Sequence, residues 1–507
     1  MALVAIASAS TAALASAPHL RAAKPITDEQ GRVQVIIDFT DDAHLAFPGQ
    51  NQDPQRKGVV VGSETFAHKE KTLALVADFE RRYGVKRLAI TSWIGNSLTA
   101  LVAPEQLDKI LMEPLVKQVS DDQEHRFSAL APPWYNYNFY PEWMSWGGDA
   151  VNAKISTGNT GRKIYMIDSG TAYHDDLPAM IRKNVACANG NCNANDPYNY
   201  PLVGCYAHAT HVAGIIGAIA SPGGNGKSTR GVYSGFPNMV SLNVSMRTTG
   251  DDCSTRVSST LTSYIGNALD YISWDNTNNN PNKIIHVVTM SINTGGVHLI
   301  NRGVPGANWT KARTISNGVW SGGVQIVAGA LLVQSAGNTD SGSSDACALS
   351  YSVGPEFPQQ PAIPDDGFMV VGAVNDNGRA VSQSEPFAAT IPAGLSGQPG
   401  YSAYGQCVDI WAPGNAIVST WGAHAGPTLE SHLYSGNVYA SGSTEGWGFL
   451  SGTSMAAPHV AAVAVWLGDV YGASTSGALE LLVRSVSNQH YGAVDGANFP
   501  VKVPRLP

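Results

Sequence analysis

The sequence predicts an α/β fold, a doubly wound parallel sheet preceded by a small α+β unit. Three observations carry the prediction. From residue 163 onward, short apolar runs alternate with helix-length segments over roughly 340 residues, the pattern of one large α/β domain. Those runs are continuously apolar rather than alternating, as strands buried on both faces require. Residues 32–120 read instead as β-α-β-β-α-β, a split βαβ unit. The chain has 507 residues, 43% hydrophobic and 14% charged, which suits one large core plus a smaller one and not a disordered chain.

Taken in order, residues 1–17 are small and apolar, and Ala15-Ser16-Ala17 forms an A-x-A site before Pro18. This reads as a secretory signal peptide, although no Lys or Arg precedes the apolar run, and an ordinary Ala-rich leader is the alternative. Val33–Ile37 is a strand. Val76, Phe79 and Tyr83 recur at helical spacing between Lys71 and Tyr83, and Gly84 stops that helix. Leu88–Trp93 and Leu98–Val102 are strands around Gly95-Asn96. Pro104 opens a helix with Leu107, Ile110 and Leu111 on one face, and Val116–Val119 closes a ferredoxin-like unit. Ser120–Ser128 is polar and expected to be an exposed junction. The large unit contributes strands at Ile164–Ile167, Val240–Val244, Ile284–Met290, Ile326–Val333, Met369–Val374 and Val408–Trp411. In such sheets ligands sit beyond the carboxyl ends of the strands, so reactive residues are sought there.

Charge and hydropathy exclude several classes. A net charge of −8 is poor for binding polyanions, so no nucleic-acid partner is expected. No run of eighteen apolar residues occurs, so no membrane-spanning helix and no membrane partner are expected. Six cysteines, Cys187, Cys192, Cys205, Cys253, Cys347 and Cys407, include no C-x-x-C pair. An even count behind a secretory leader reads as three disulfides, with buried thiols as the alternative. Position suggests the pairs. Cys205 and Cys253 both fall near the carboxyl-end rim, Cys347 and Cys407 flank successive parts of the later sheet, and Cys187–Cys192 follows by elimination.

Three segments at element ends carry chemistry. Lys163–Ile167 runs into Asp168-Ser169-Gly170. His208-Ala209-Thr210-His211-Val212-Ala213-Gly214 opens one small-residue helix, and Gly452-Thr453-Ser454-Met455-Ala456-Ala457-Pro458-His459 opens another. A serine becomes a nucleophile when an imidazole accepts its proton, and the imidazole needs a carboxylate to fix its tautomer. Met455–Leu467 is apolar on nearly every side, so Ser454 would stand at the start of a buried helix, at the positive end of its dipole. Singly, each residue reads as a cap or turn. His208 and His211 could be a metal pair, but the zinc-protease spacing H-E-x-x-H is not met, and His211 is read as structural. No G-x-S-x-G surrounds Ser454, which argues against an α/β-hydrolase.

Together the segments resemble the subtilisin-like serine proteases (peptidase family S8), over nearly the whole chain. The order Asp, His, Ser is that of subtilisin. The resemblance implies Asp168 as the orienting acid, His208 as the general base and Ser454 as the nucleophile. Val333-Gln334-Ser335-Ala336-Gly337-Asn338 matches the family's oxyanion segment, which implies Asn338 as oxyanion donor with the Ser454 N–H. The walls of the substrate pocket would be Ser291-Ile292-Asn293 and Ser335-Ala336-Gly337. The first unit resembles the inhibitory propeptide of the family. The implied organisation is a signal at 1–17, an inhibitory propeptide at 18–130 and a catalytic domain at 131–507. The implied activity is a secreted serine endopeptidase acting on proteins or peptides, made as an autoprocessed zymogen inhibited by its own propeptide. The rival reading is a catalytically inactive subtilisin fold that binds peptides.

The chain departs from the family pattern in places. Ala209 replaces the usual glycine after the histidine, and Ser291-Ile292-Asn293 replaces Ser-Leu-Gly. Ser254–Val257 replaces a glycine-rich edge, and residues 297–310, 382–400 and 422–446 look inserted. Asn293 and the bulk at 255–257 predict a pocket favouring small or polar residues at the cleaved position, unless Gly295 or Gly296 is the true wall. No cofactor is required for the chemistry. Structural calcium is common in the family, but Asp175-Asp176, Asp251-Asp252 and Asp365-Asp366 read as solvated acidic turns, and no ligand is assigned.

Overall fold

The structure, a computed structural model, describes residues 26–40, 59–60, 68–91, 96–122, 124–127, 143–156, 161–186, 207–219, 229–245, 259–293, 307–321, 324–339, 346, 364–382, 401–422, 445–495 and 500–507.

The N-terminal unit is an antiparallel sheet of β1 (Val33–Phe39), β2 (Lys86–Thr91), β3 (Ser97–Val102) and β4 (Val116–Asp121), in the order β2-β3-β1-β4. Helices α1 (His68–Tyr83) and α2 (Pro104–Leu111) complete it. Its core joins Val35, Ile37 and Phe39 to Val76, Phe79, Leu98, Ile110 and Val119. Gly84 ends α1 in a left-handed conformation (φ +62°), which glycine adopts without penalty. The expected β-α-β-β-α-β order is present.

The stretch Ser120–Ser128 corrects an expectation. Ser120 and Asp122 are buried, and Glu124–Phe127 forms a strand, β5. Polarity here marks an interface, not a solvated linker. The Asp122 carboxylate accepts from Ser263 N (2.9 Å), Ser263 Oγ (2.5 Å) and Gln34 Nε2 (2.7 Å). A buried carboxylate is tolerated when its lone pairs are used this way. Burial still raises its pKa, against the lowering effect of those bonds.

The large unit is built on seven strands: β6 (Ile164–Asp168), β7 (Ile181–Asn184), β8 (Met239–Asn243), β10 (His286–Met290), β12 (Ala330–Ser335), β13 (Phe368–Val374) and β14 (Ile410–Pro413). Their order is β7-β8-β6-β10-β12-β13-β14, every neighbouring pair parallel. Two short strands, β9 (Ser259–Leu261) and β11 (Ile292–Asn293), lie outside it. Helices α3 (Ala207–Gly217) and α6 (Thr453–Tyr471) cover one face, with α7 (Ser476–Ser485) beside α6. Helices α4 (Thr262–Asn278) and α5 (Ala307–Asn317) cover the other. Neighbouring residues of one strand serve opposite cores. Ile164 and Met166 pack under α3 and α6, while Tyr165 and Ile167 pack under α4. Both faces are dry, which is why these strands read as continuous apolar runs.

The sequence placed one strand over Ile326–Val333. The structure breaks it, with Val324–Val327 in a separate hairpin and β12 starting at Ala330. Gly329 permits the break, since a Cβ there would stand 2.2 Å from the Ser316 carbonyl oxygen. The strand read as Val408–Trp411 runs from Ile410, because Asp409 is engaged with Arg484 and accepts from Val370 N. No described helix is long and apolar enough to cross a membrane.

Candidate active site

The sheet reverses its winding between β6 and β10, and the crevice beyond their carboxyl ends is where such folds place their chemistry. Asp168 is the last residue of β6. Its Oδ1 accepts from Ser169 N (2.6 Å) and meets His208 Nδ1 at 2.8 Å. A carboxylate can only accept, so Nδ1 carries the proton and Nε2 is left as the basic nitrogen. Gly170 follows with φ +87°, and a Cβ on it would stand 3.0 Å from Asn243 Cγ. This turn therefore takes glycine.

His208 is the second residue of α3, and the rest of its motif fastens that helix. Thr210 Oγ1 accepts from Ala172 N (2.9 Å). A hairpin of β15 (Ile417–Gly422) and β16 (Glu445–Leu450) lies against the helix. Its Thr420 and Ser419 hydroxyls donate to the carbonyls of Thr210 and His211, each at 2.7 Å. A Cβ at Gly214 would stand 2.2 Å from Ser419 Oγ, so only glycine allows this approach. His211 Nε2 donates to the carbonyls of Ile417 (2.9 Å) and Gly448 (3.1 Å). Burial lowers its pKa to about 3. His211 thus crosslinks the helix to the hairpin, in keeping with its reading as structural.

Ser454 is the second residue of α6. Its Oγ donates to the Ser291 carbonyl oxygen (3.1 Å), and Ser291 Oγ donates back to the Ser454 carbonyl oxygen (2.9 Å). Ser291 directly follows β10, so these bonds hold the start of α6 against the crevice. The apolar run behind Ser454 is buried from Met455 through Val465, which fixes the helix in the core.

Asn338 lies two residues beyond Ala336, past the end of β12. Its Oδ1 accepts from Thr453 N and Thr453 Oγ1, both at 2.9 Å, while Thr453 Oγ1 accepts from Gly337 N (3.1 Å). With the carboxamide oxygen occupied, the NH2 end is the one turned toward other groups. Thr453 was quoted in the motif without a role. Its place beside Ser454 is the available signal, and its bonds orient Asn338.

The two expected pocket walls flank the same crevice. Ser335 ends β12, and Ala336 packs its methyl with Ala346, Val370, Ala403 and Cys407, so that wall is backed by a small core of its own. Ile292 is buried, and Ile292 and Asn293 form β11. Between β11 and β9 lies β5, antiparallel to both. Phe127 pairs with Ile292, Arg126 with Asn293 and Ser259, His125 with Thr260, and Glu124 with Leu261. Residues of the N-terminal segment thus occupy the groove beside Ser291 and Ser454. The strand on the far side of that groove is Ser259–Leu261; Ser254–Val257, read as that edge, lie outside the described residues.

Of the six cysteines, Cys407 is described. It is buried and disulfide-bonded. Cys187, Cys192, Cys205, Cys253 and Cys347 lie outside the described residues, as do Asp251-Asp252 and most of the three inserted stretches. Asp176 accepts from Thr229 N and Trp447 Nε1, so it is a structural acceptor rather than the solvated turn expected. Among the described residues no group of three or more His, Cys, Asp or Glu could hold a metal ion.

The structure joins the Asp168 carboxylate to the His208 imidazole and sets the Ser454 hydroxyl on the Ser291 carbonyl, all at the carboxyl-end side of a doubly wound sheet. The model of the Subtilase family, peptidase S8, matches residues 159–496, and the chain belongs to that family of serine proteases, which act on proteins and peptides. The chain is 27% identical over 367 residues to an alkaline protease of Alkalihalobacillus alcalophilus, covering 72% of this chain and 67% of that one. It is 24% identical over 382 residues to a thermostable alkaline protease of Halalkalibacterium halodurans, covering 74% and 73%. A cuticle-degrading protease of Metarhizium anisopliae is 36% identical over 117 residues, 22% of this chain and 25% of that one. Among solved structures, fervidolysin from Fervidobacterium pennivorans superposes with a TM-score of 0.54 at 15% identity. That match covers 95% of this chain and 61% of that one, and it speaks for the fold.

Proposed function

We propose that the chain is a secreted serine endopeptidase made as an autoprocessed zymogen, with residues 18–130 as its intramolecular inhibitor and 131–507 as the catalytic domain. The observation that carries the reading is the 2.8 Å contact of His208 Nδ1 with Asp168 in the crevice that holds Ser454 at a helix N-terminus. Ser454 Oγ exchanges its bond to Ser291 for one to His208 Nε2 as substrate enters. It attacks the scissile carbonyl while His208 takes its proton and Asp168 stabilises the imidazolium. The oxyanion is met by Asn338 Nδ2 and the Ser454 N–H. His208 then protonates the leaving amine, and water, activated by the same imidazole, frees the acyl group. No cofactor enters these steps.

Occupation of the groove by β5 supports the inhibitor role, since a strand paired on both edges excludes another peptide. The leader at 1–17 supports secretion. The pairs Cys205–Cys253, Cys347–Cys407 and Cys187–Cys192 belong to the same reading, and the packing of Ala346 against Cys407 supports the second.

The test is labelling of the processed protein by a serine-directed phosphonate. Label on Ser454, abolished in Ser454→Ala, is the expected result. A processed protein that takes no label is the inactive peptide-binding fold instead.

A further inference from the structure

We propose that Ser451, Asn415 and Trp146 are positioning residues for the nucleophile, which together set the turn from which Ser454 is presented. The proposal rests on the proteolytic reading above and concerns the rate at which that site works.

Gly414-Asn415-Ala416 joins β14 to β15, and Ser451-Gly452 leads from β16 into α6. Pairing of Ile417 with Leu450 brings the two runs face to face. Gly452 N donates to the Gly414 carbonyl oxygen (2.7 Å). The buried Ser451 hydroxyl accepts from Ala416 N (2.8 Å) and donates to Asn415 Oδ1 (3.2 Å), so one hydroxyl clasps two successive residues of the turn. Trp146, on the short helix Trp146–Ala150, donates its indole N–H to the Asn415 carbonyl oxygen (2.9 Å).

Two residues here hold backbone conformations that a relaxed turn would not keep. Ala416 stands at φ +49°, in the left-handed region that costs a residue with a Cβ free energy. Gly452 stands at φ +152° and ψ +162°, a region essentially confined to glycine. Such conformations persist where surrounding bonds fix them. Gly452 lies two residues before Ser454, so its ψ sets the direction in which Thr453 and Ser454 leave the hairpin. The aim of the Ser454 N–H and Oγ follows from it.

The short helix also reaches α6 itself. A Cβ on Gly147 would stand 2.4 Å from His459 Nε2 and 2.9 Å from Pro413 Cβ. His459 Nδ1 in turn donates to the carbonyl oxygen of Met455, the residue after the nucleophile (2.7 Å). Residues 146–147 therefore touch both the turn and the nucleophile helix and fix one against the other. Two grips act on adjacent residues. Asn338 holds Thr453 and orients the oxyanion donor, while the Ser451 clasp holds Gly452 and aims the nucleophile.

A loosened turn misplaces Ser454 Oγ without removing any group that touches substrate. In the processed protein, Ser451→Ala should lower kcat on a small peptide amide about 10-fold or more, with KM changed by less than about twofold. Inactivation by a serine-directed phosphonate should slow by the same factor. Trp146→Phe keeps a ring against the cluster of Trp411, Val501 and Val503 but loses the N–H, and a smaller fall in kcat is expected, again at constant KM. Ser451→Ala combined with Ala416→Gly separates positioning from stability. Glycine accepts φ +49°, so the urea midpoint should recover, while the turn stays unclasped and kcat stays low. Wild-type kcat in Ser451→Ala, a change confined to KM, or a kcat that returns with the midpoint in the double variant overturns the proposal. The two claims fail apart. A wild-type protein that takes no label on Ser454 sinks the protease reading, whereas equal labelling rates in wild type and Ser451→Ala sink only this assignment.

Discussion

Two helices of the catalytic unit begin without a side-chain cap of their own, and they solve the problem differently. Helix α4 starts after Leu261, which makes no capping bond, and α6 starts after Gly452, which cannot. Both leave N–H groups and the positive end of a dipole to be satisfied. At α4 the partner is a carboxylate from the N-terminal unit, Asp122, held on Ser263 N and Oγ. At α6 the partner is a neutral carboxamide, Asn338, held on Thr453 N and Oγ1. An acidic side chain offers two oxygens to several donors at once, which suits a docking contact. A carboxamide orients the turn without adding charge, so the positive end stays available to an oxyanion. The same need is met by an acidic group from another unit at one helix and by an amide from the sheet at the other.

The comparison breaks most readily at α6. Asn338→Ala should leave substrate binding intact and lower kcat about 10²–10³-fold, the loss attached to one oxyanion donor; that figure was itself measured on subtilisin. Asn338→Asp keeps the shape and the acceptor for Thr453 but sets a negative charge against the oxyanion, so its kcat should fall further than that of the alanine variant. Equal kcat for the two in steady-state assays would show that charge at this helix is irrelevant.

Acid probes the neutral side of the comparison. Burial lowers His211 to about 3, His286 to about 3, helped by Lys163 and Arg162, and His459 to about 4. The unfolded chain binds protons at these residues near the ordinary 6.5 while the folded one does not. Stability from this source is therefore complete above about 6.5 and is lost as pH falls toward 4. Buried Asp409 and Glu480, raised to about 7 and about 8, act in the opposite sense over the same range, so the histidine part is read as the difference in urea midpoint between the protein and His211→Gln from pH 8 to 4. The protein should lose more stability than His211→Gln as pH falls, and parallel curves would remove His211 from the account.

The smallest effect belongs to α4. Asp122→Ala should weaken the hold of the N-terminal unit by about 1–3 kcal/mol, the cost of leaving buried donors unpaired. Activity on a protein substrate should then appear sooner after processing. Asp122→Asn, which keeps an acceptor, should fall between. A lag identical in all three would show that the cap contributes nothing to docking.

The sequence disclosed what is local and hid what is made in partnership. The starts of α3 and α6 were legible because their motifs resemble a family pattern residue by residue, even though partners such as Ala172 for Thr210 lie far away in sequence. The seven strands were legible because both faces of each are apolar. β5 was not, since Glu124–Phe127 has no alternation and owes its extended form to β9 and β11 on either edge. Asp122 looked like a solvated charge because its partner, Ser263, lies in a different unit. The break before Ala330 was hidden by apolar residues on both sides of Gly329.

The place of β5 also ties the chemistry to the history of the chain. Its two partners, β9 and β11, lie far downstream and on opposite sides of α4 and β10, so the groove closes on it only after that part of the parallel sheet has formed. Non-local pairings of this kind come late in folding. A molecule whose central sheet is misassembled offers β5 nowhere to lie. Under the proposed self-processing, the cut would work as a proofreading step, releasing each copy to act on other proteins only after its own architecture has passed inspection.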